Sequence, residues 1–196
     1  MIDIRMKQED LDRVILAMRN IEKSEESVLK TALNNTATRV RNRLVKRASK
    51  VYAGTAPAGI LGRSKIIKAS VSKVKATIFF KSKQPGIEAH KVSMFFRSRT
   101  TFFNGKRVKF PIYATQFAKS EMKLLEGYSM AFCVRFKSGK IAIVSRNADK
   151  KLKRLMGSSD RSMVGNEKVY GAEEEKIADI LHEQVEKCLN KALGGK

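Results

Sequence analysis

The chain has 196 residues, 42% of them hydrophobic, enough to bury the core of one ordinary domain, and its 41 Lys/Arg against 19 Asp/Glu give a net charge of +22. A field of that size attracts polyanions, either nucleic acid or an acidic protein surface, and composition alone does not choose between them. Asp3, Glu9, Asp10 and Asp12 interrupt any apolar stretch near the start, and no run approaches the roughly 20 apolar residues of a membrane span. Neither a signal peptide nor a membrane helix is therefore expected, and the protein reads as soluble and made in the cytoplasm. The two cysteines, Cys133 and Cys188, sit among apolar neighbours with no Cys-x-x-Cys or His/Cys cluster, which favours reduced, buried thiols over a disulfide or a zinc site.

The charge is unevenly spread. Residues 1–30 and 161–196 each carry −1, so residues 31–160, with 29 Lys/Arg and five Asp/Glu, carry +24. Leu11, Val14, Ile15 and Met18 share one face of a short amphipathic helix from about Gln8 to Glu22, in an N-terminal helical extension covering residues 1–23. Ser24 can cap the next helix, with Glu25 and Glu26 where the helix dipole favours negative charge. From there Leu29, Leu33, Ala37, Val40, Leu44, Ala48 and Val51 recur at steps of three and four, which predicts a long helix over residues 24–53. Arg39, Arg43, Lys46 and Lys50 keep the same rhythm about a quarter turn away, a basic stripe beside the apolar one. Such a helix can bury one side and offer the other to a polyanion.

Gly54 to Gly62, with Pro57 and Gly59, reads as a flexible link. The period then changes. Val71 to Phe80 and Ile87 to Phe96 read as strands around a turn at Gln84-Pro85-Gly86. Asn104-Gly105, between Thr101-Phe102-Phe103 and Val108-Lys109-Phe110, supplies the positive φ angles of a two-residue hairpin. Phe132, Val134 and Phe136 alternate before Lys137-Ser138-Gly139-Lys140, and Ile141 and Ile143 resume the alternation in a second hairpin. Residues 70–146 thus read as an antiparallel sheet. Residues 147–171, polar and basic with Lys150, Lys151, Lys153 and Arg154, read as a mobile arm. Glu173, Glu174 and Glu175, then Ile177, Ile180, Leu181, Val185, Cys188, Leu189 and Ala192, predict a C-terminal amphipathic helix over 172–193. The fold class is α+β in a single domain of residues 1–196: N-terminal helices, one of them long and amphipathic, a central antiparallel sheet of hairpins and a C-terminal helix.

Chemistry finds little purchase. The carboxylates of the central region are Glu88, Glu121, Glu126, Asp149 and Asp160, and none forms a recognisable metal-binding pair. His90 beside Glu88 could serve as a nuclease-like base, but a lone strand histidine is more often structural, and His182 flanks the packed stripe of the last helix. Gly54-Thr55-Ala56-Pro57-Ala58-Gly59 lacks the lysine and the preceding strand of a phosphate loop. Basic and aromatic residues do interleave at Phe95, Phe96, Arg97, Arg99, Phe102, Phe103, Lys106, Arg107, Lys109, Phe110 and Tyr113, as in a surface that stacks bases and holds phosphates. In a chain with no tryptophan the rings are better spent on the core, which leaves the cations to face out and phosphate contacts to dominate.

Ala32-Leu33-Asn34-Asn35-Thr36-Ala37, followed by Arg39, Arg41, Arg43 and Arg47, resembles the N-terminal signature of the phage minor tail protein Z family. Phe132-Cys133-Val134-Arg135-Phe136-Lys137-Ser138-Gly139-Lys140, then Ile143-Val144-Ser145-Arg146, is similar to that family's strand, Lys-Ser-Gly-His turn and returning strand. Tyr170-Gly171 is similar to its entry into the last helix. Lys140 stands for the usual histidine, and Ala172-Glu173 for Pro-Ser. The resemblance runs in consistent order over residues 29–192. It implies a structural protein of the virion, assembled in the host cytoplasm, that acts in tail completion or head–tail joining at the head-proximal end of a long-tailed phage. Tail tube, tail terminator or connector proteins and a homo-oligomeric ring are the implied partners, a contact with virion DNA is left open, and no enzyme activity, catalytic residue, cofactor or metal comes with it. The expected polyanion- or partner-binding residues are Arg39, Arg43, Lys46, Arg47, Lys50, Arg97, Arg99, Lys106, Arg107, Lys109, Lys151, Lys153 and Arg154. The alternative is a free nucleic-acid-binding protein without sequence specificity.

Overall fold

The computed structural model describes residues 2–5, 8–18, 25–54, 56–94, 100–103, 106–109, 112–121, 123–125, 129–146 and 149–194, with the backbone alone at 3, 10, 93–94, 100–103, 106–109, 123–124 and 129–130. The α+β class holds, with helices at both ends of the chain and antiparallel strands between them. Where the sequence reads as one domain, the chain divides into two compact units. Unit 1 comprises Met1–Arg47, Pro57–Lys81 and Val164–Lys196, and unit 2 comprises Ala48–Ala56 and Ser82–Met163.

Unit 1 is built on α2, Glu25–Val51, preceded by α1, Gln8–Met18. The apolar rhythm lands inward as read: Leu29, Leu33, Ala37, Val40 and Leu44 are all buried, joined by Val28, Ala32 and Val45. Thr36 shares this seam without exposing a polar atom, because its hydroxyl donates to the Ala32 carbonyl one turn back at 2.9 Å. Three short strands, β1 (Ile2–Ile4), β2 (Ser64–Ile67) and β3 (Ala76–Phe80), form an antiparallel sheet in the order β1-β3-β2. Ile4 lies opposite Ala76, and Ile2 and Ile66 flank Ile78, so one sheet face supplies the core. The expected flexible link is in part a helix: α3, Pro57–Gly62, starts on the proline, whose missing N–H is no loss in a first turn, and buries Ile60. Asn34 of α2 fixes the chain leaving β2, its side-chain oxygen accepting from the Ala69 N–H at 2.8 Å and its amide donating to the Ala69 carbonyl at 3.3 Å.

Unit 2 holds the hairpins, whose described residues form three antiparallel sheets. Among its described residues, β4 (Lys91–Met94), β7 (Ile112–Thr115) and β8 (Lys123–Leu124) form one antiparallel sheet. A second pairs β5 (Thr100–Phe103) with β6 (Lys106–Lys109), and a third orders β11 (Leu152–Arg154), β10 (Ile141–Arg146) and β9 (Ser129–Arg135). The expected strand at Ile87 begins instead as a single 3₁₀ turn, Ile87–Ala89, before β4. Phe103 pairs with Lys106, the register that a two-residue loop demands, although Asn104 and Gly105 themselves lie outside the described residues. Ile87, Ile112, Ala114, Ala131 and Ile143 make the core, with Val92, Leu125, Cys133 and Leu155 against it.

The region read as a mobile arm is ordered where it is described. It adds β11 to β10, buries Met163, Val164 and Val169, and forms the short helix α4, Asp160–Val164. Polar composition concealed this because β11 is an edge strand with every residue exposed, paired along one side through backbone atoms. In unit 1 the chain then enters α5, Gly171–Ala192, which buries Ile180, Leu181, Gln184, Val185 and Leu189 on one face.

Candidate polyanion-binding surface

Unit 2 carries 19 of the Lys/Arg residues and five of the Asp/Glu, a net charge of +14, against 22 and 14 in unit 1. The polyanion-attracting field is therefore concentrated in unit 2.

In unit 1 the basic stripe of α2 takes a role that its sequence does not announce. Arg39 donates to both carboxylate oxygens of Glu183 at 3.2 and 3.3 Å, and Arg43 to Glu173 at 2.8 Å. Arg47 reaches the other Glu173 oxygen at 3.3 Å and the Lys168 carbonyl at 2.8 Å. Three arginines four residues apart thus clamp α5 onto α2. Glu173 is buried, which by itself pushes its carboxyl up, but the Arg43 hydrogen bond and charge, aided by Lys176 and Arg47, outweigh that and hold it below its ordinary value. Glu183 is likewise lowered, by hydrogen bonds from Lys187 and Arg39. Only part of the stripe faces outward unengaged by this clamp: Lys46 and Lys50 are exposed.

The other expected residues are scattered. Arg97 and Arg99 lie outside the described residues, and Lys106, Arg107 and Lys109 are placed on β6 with their side chains outside the description. Lys151 and Lys153 are exposed at β11, whereas Arg154 bonds Glu88 across the bridge that joins Gly86 and Met156. Comparison with known proteins finds no matching family model, and no curated protein or solved structure matches.

His90 does not stand open at a surface. It is buried, its Nδ1–H donates to the Ala53 carbonyl at 3.2 Å, and its Nε2 edge lies against Gly157, where any side chain would collide with the ring. In unit 1 a cavity of about 570 Å³ is bordered by β1, α1 and α5. Its charged lining mixes Arg5 and Arg13 with Glu9, Glu174 and Asp179, so it does not select for a polyanion. Among the described residues no group of three or more His, Cys, Asp or Glu could hold a metal ion, and no helix is long and apolar enough to cross a membrane.

Sequence reasoning found the β9–β10 turn but missed its setting. The four residues Ala142 to Ser145 of β10 are all buried, so the hairpin base is covered on both faces, while every residue from Arg135 to Ile141 is exposed. The tip closes through Gly139 N–H to the Phe136 carbonyl at 2.9 Å and Phe136 N–H to the Lys140 carbonyl at 2.8 Å, with Gly139 at φ +77°. This is a three-residue loop whose last position needs the left-handed region. Lower on the hairpin the Arg146 guanidinium lies 5.7 Å from the centre of the Phe132 ring. The missed signal was available in the charges: no carboxylate occurs from residue 127 to 148.

Proposed function

We propose that the protein is a structural protein of a bacteriophage virion, acting in tail completion or head–tail joining through a basic surface that binds acidic faces of tail tube, terminator or connector proteins. The observation that carries this reading is the ordered series of segments resembling the minor tail protein Z family. Those segments fall on the buried seam of α2, on the β9–β10 hairpin and at the entry to α5, positions where packing and turn geometry restrict the sequence. The charge of unit 2 supports the same reading, since dispersed cations supply attraction and steering toward an acidic ring.

The direct test is an affinity capture of the tagged protein from phage-producing cells, with nuclease treatment before mass spectrometry. Recovery of tail tube, terminator or connector proteins is expected. Loss of all partners with the nucleic acid would replace this reading with that of a free nucleic-acid-binding protein. Charge reversal is best placed at Lys46 and Lys50, because reversing Arg39 or Arg43 breaks the clamp on α5 and confounds folding with binding. K46E/K50E is expected to melt at the wild-type temperature and yet reduce the yield of joined, infectious particles; full infectivity would remove α2 from the interface.

A further inference from the structure

We propose that the tip of the β9–β10 hairpin is a contact for duplex DNA, in which Arg135, Lys137 and Lys140 bear on phosphates and Phe136 enters a groove. The proposal rests on the polyanion-binding part of the reading above and not on its tail part.

Four observations lead to it. The base of the hairpin is held on both faces, so the tip is a fixed projection of unit 2. Its loop is already closed by two backbone hydrogen bonds, which leaves little backbone to order when a ligand binds. Its side chains offer three cations and no carboxylate. Between those cations Phe136 is 52% exposed, and Ile141, opposite Arg135 in the register, is 37% exposed.

An acidic protein and a nucleic acid both match the charge, and size separates them. A stable protein interface needs on the order of 800 Å² from each partner around an apolar centre, more than a seven-residue tip can present. Phosphates are contacted one at a time, and the major groove of about 12 Å admits a two-stranded ribbon. An aromatic ring flanked by cations suits that setting, making apolar contact with base edges while the charges hold the backbone. The ligand this tip fits is therefore a duplex, with contacts to phosphate dominating and little choice of sequence.

The test is fluorescence anisotropy of the full-length protein with a labelled mixed-sequence duplex of about two helical turns, across a salt series. K137Q/K140Q is expected to weaken binding about tenfold and to lower the slope of log affinity against log salt by about two. F136A is expected to weaken binding about fivefold with the slope unchanged, because an apolar groove contact is lost and no cation is removed. K83Q/K119Q removes the same charge from exposed positions elsewhere in unit 2 and is expected to have a clearly smaller effect. Melting curves establish that each variant is folded. Equal losses in the two lysine pairs, or unchanged binding in the tip variants, would overturn the proposal. So would tip-dependent binding of polyglutamate as tight as that of the duplex, which would assign the tip to an acidic protein. Capture of tail proteins without tip-dependent duplex binding would remove this proposal alone, and the reverse result would remove the tail reading alone.

Discussion

Glu173 shows how much rests on one carboxylate. Its side chain is only 10% exposed and takes hydrogen bonds from two arginines of α2. Glu173→Gln leaves Arg43 and Arg47 facing each other across a neutral amide and is expected to cost about 1–2 kcal/mol, below the figure for a fully buried pair because the arginines are partly solvated. A thermal melt measures it. Because the folded state lowers this carboxyl below its ordinary value of 4.5, its contribution is complete above that value and fades as pH falls through the lower folded value. The acid-side loss of stability should therefore be shallower in Glu173→Gln than in the wild type, and equal acid slopes would show that the clamp does not sense pH. Gly157 and Gly54 matter for a different reason. A Cβ at Gly157 strikes the His90 ring, and one at Gly54, which sits at φ +75°, comes within 2.8 Å of the Ala89 carbonyl oxygen and the His90 backbone. Gly157→Ala is expected to destabilise by about 2 kcal/mol or more, and by clearly less in a His90→Ala background. A cost independent of residue 90 would refute the contact.

Side chains acting on backbone add to apolar packing in positioning the elements. Asn34 imitates a strand partner, giving and taking one hydrogen bond at Ala69. Asn34→Ala is expected to lower stability by about 1–2 kcal/mol and to speed hydrogen exchange at the Ala69 amide more than at the α2 amides. Uniform acceleration would mean the bracket only adds to global stability. The apolar period of α2 and the termini of α5 were legible in sequence to within one or two residues, since a 3.6-residue repeat needs no knowledge of the partner. Strands β1 and β11 were not legible. Each has three residues, too few for an alternation to register; β1 is defined by pairing with β3, distant in sequence, and β11, exposed along its whole length, by pairing with its chain neighbour β10. Helix α3 was hidden because its proline and glycines mimic a linker.

At the scale of the molecule, a net charge of +22 with +14 in unit 2 means that like charges repel within a small volume. Added salt screens that repulsion, so the melting temperature is expected to rise between low and near-physiological ionic strength. A fall would show that ion pairs such as those of Glu173 and Glu183 outweigh the repulsion. The candidate surface was half legible. Charge density can be counted from residues, but whether a cation faces solvent or a neighbouring helix depends on what packs beside it. Arg39, Arg43 and Arg47 look alike in sequence to Lys46 and Lys50, and only the approach of α5 separates the clamp from the exposed pair.

Sequence alone sufficed for the helices at both ends, the β9–β10 hairpin turn and the sign and concentration of charge, because each follows from local periodicity, turn chemistry or counting. Tertiary structure alone decided the division into two units, the ordering of residues 149–171, the ion pairs that consume part of the basic stripe and the projection of the β9–β10 tip. Those properties depend on which segments pack together, and no single segment encodes its neighbour.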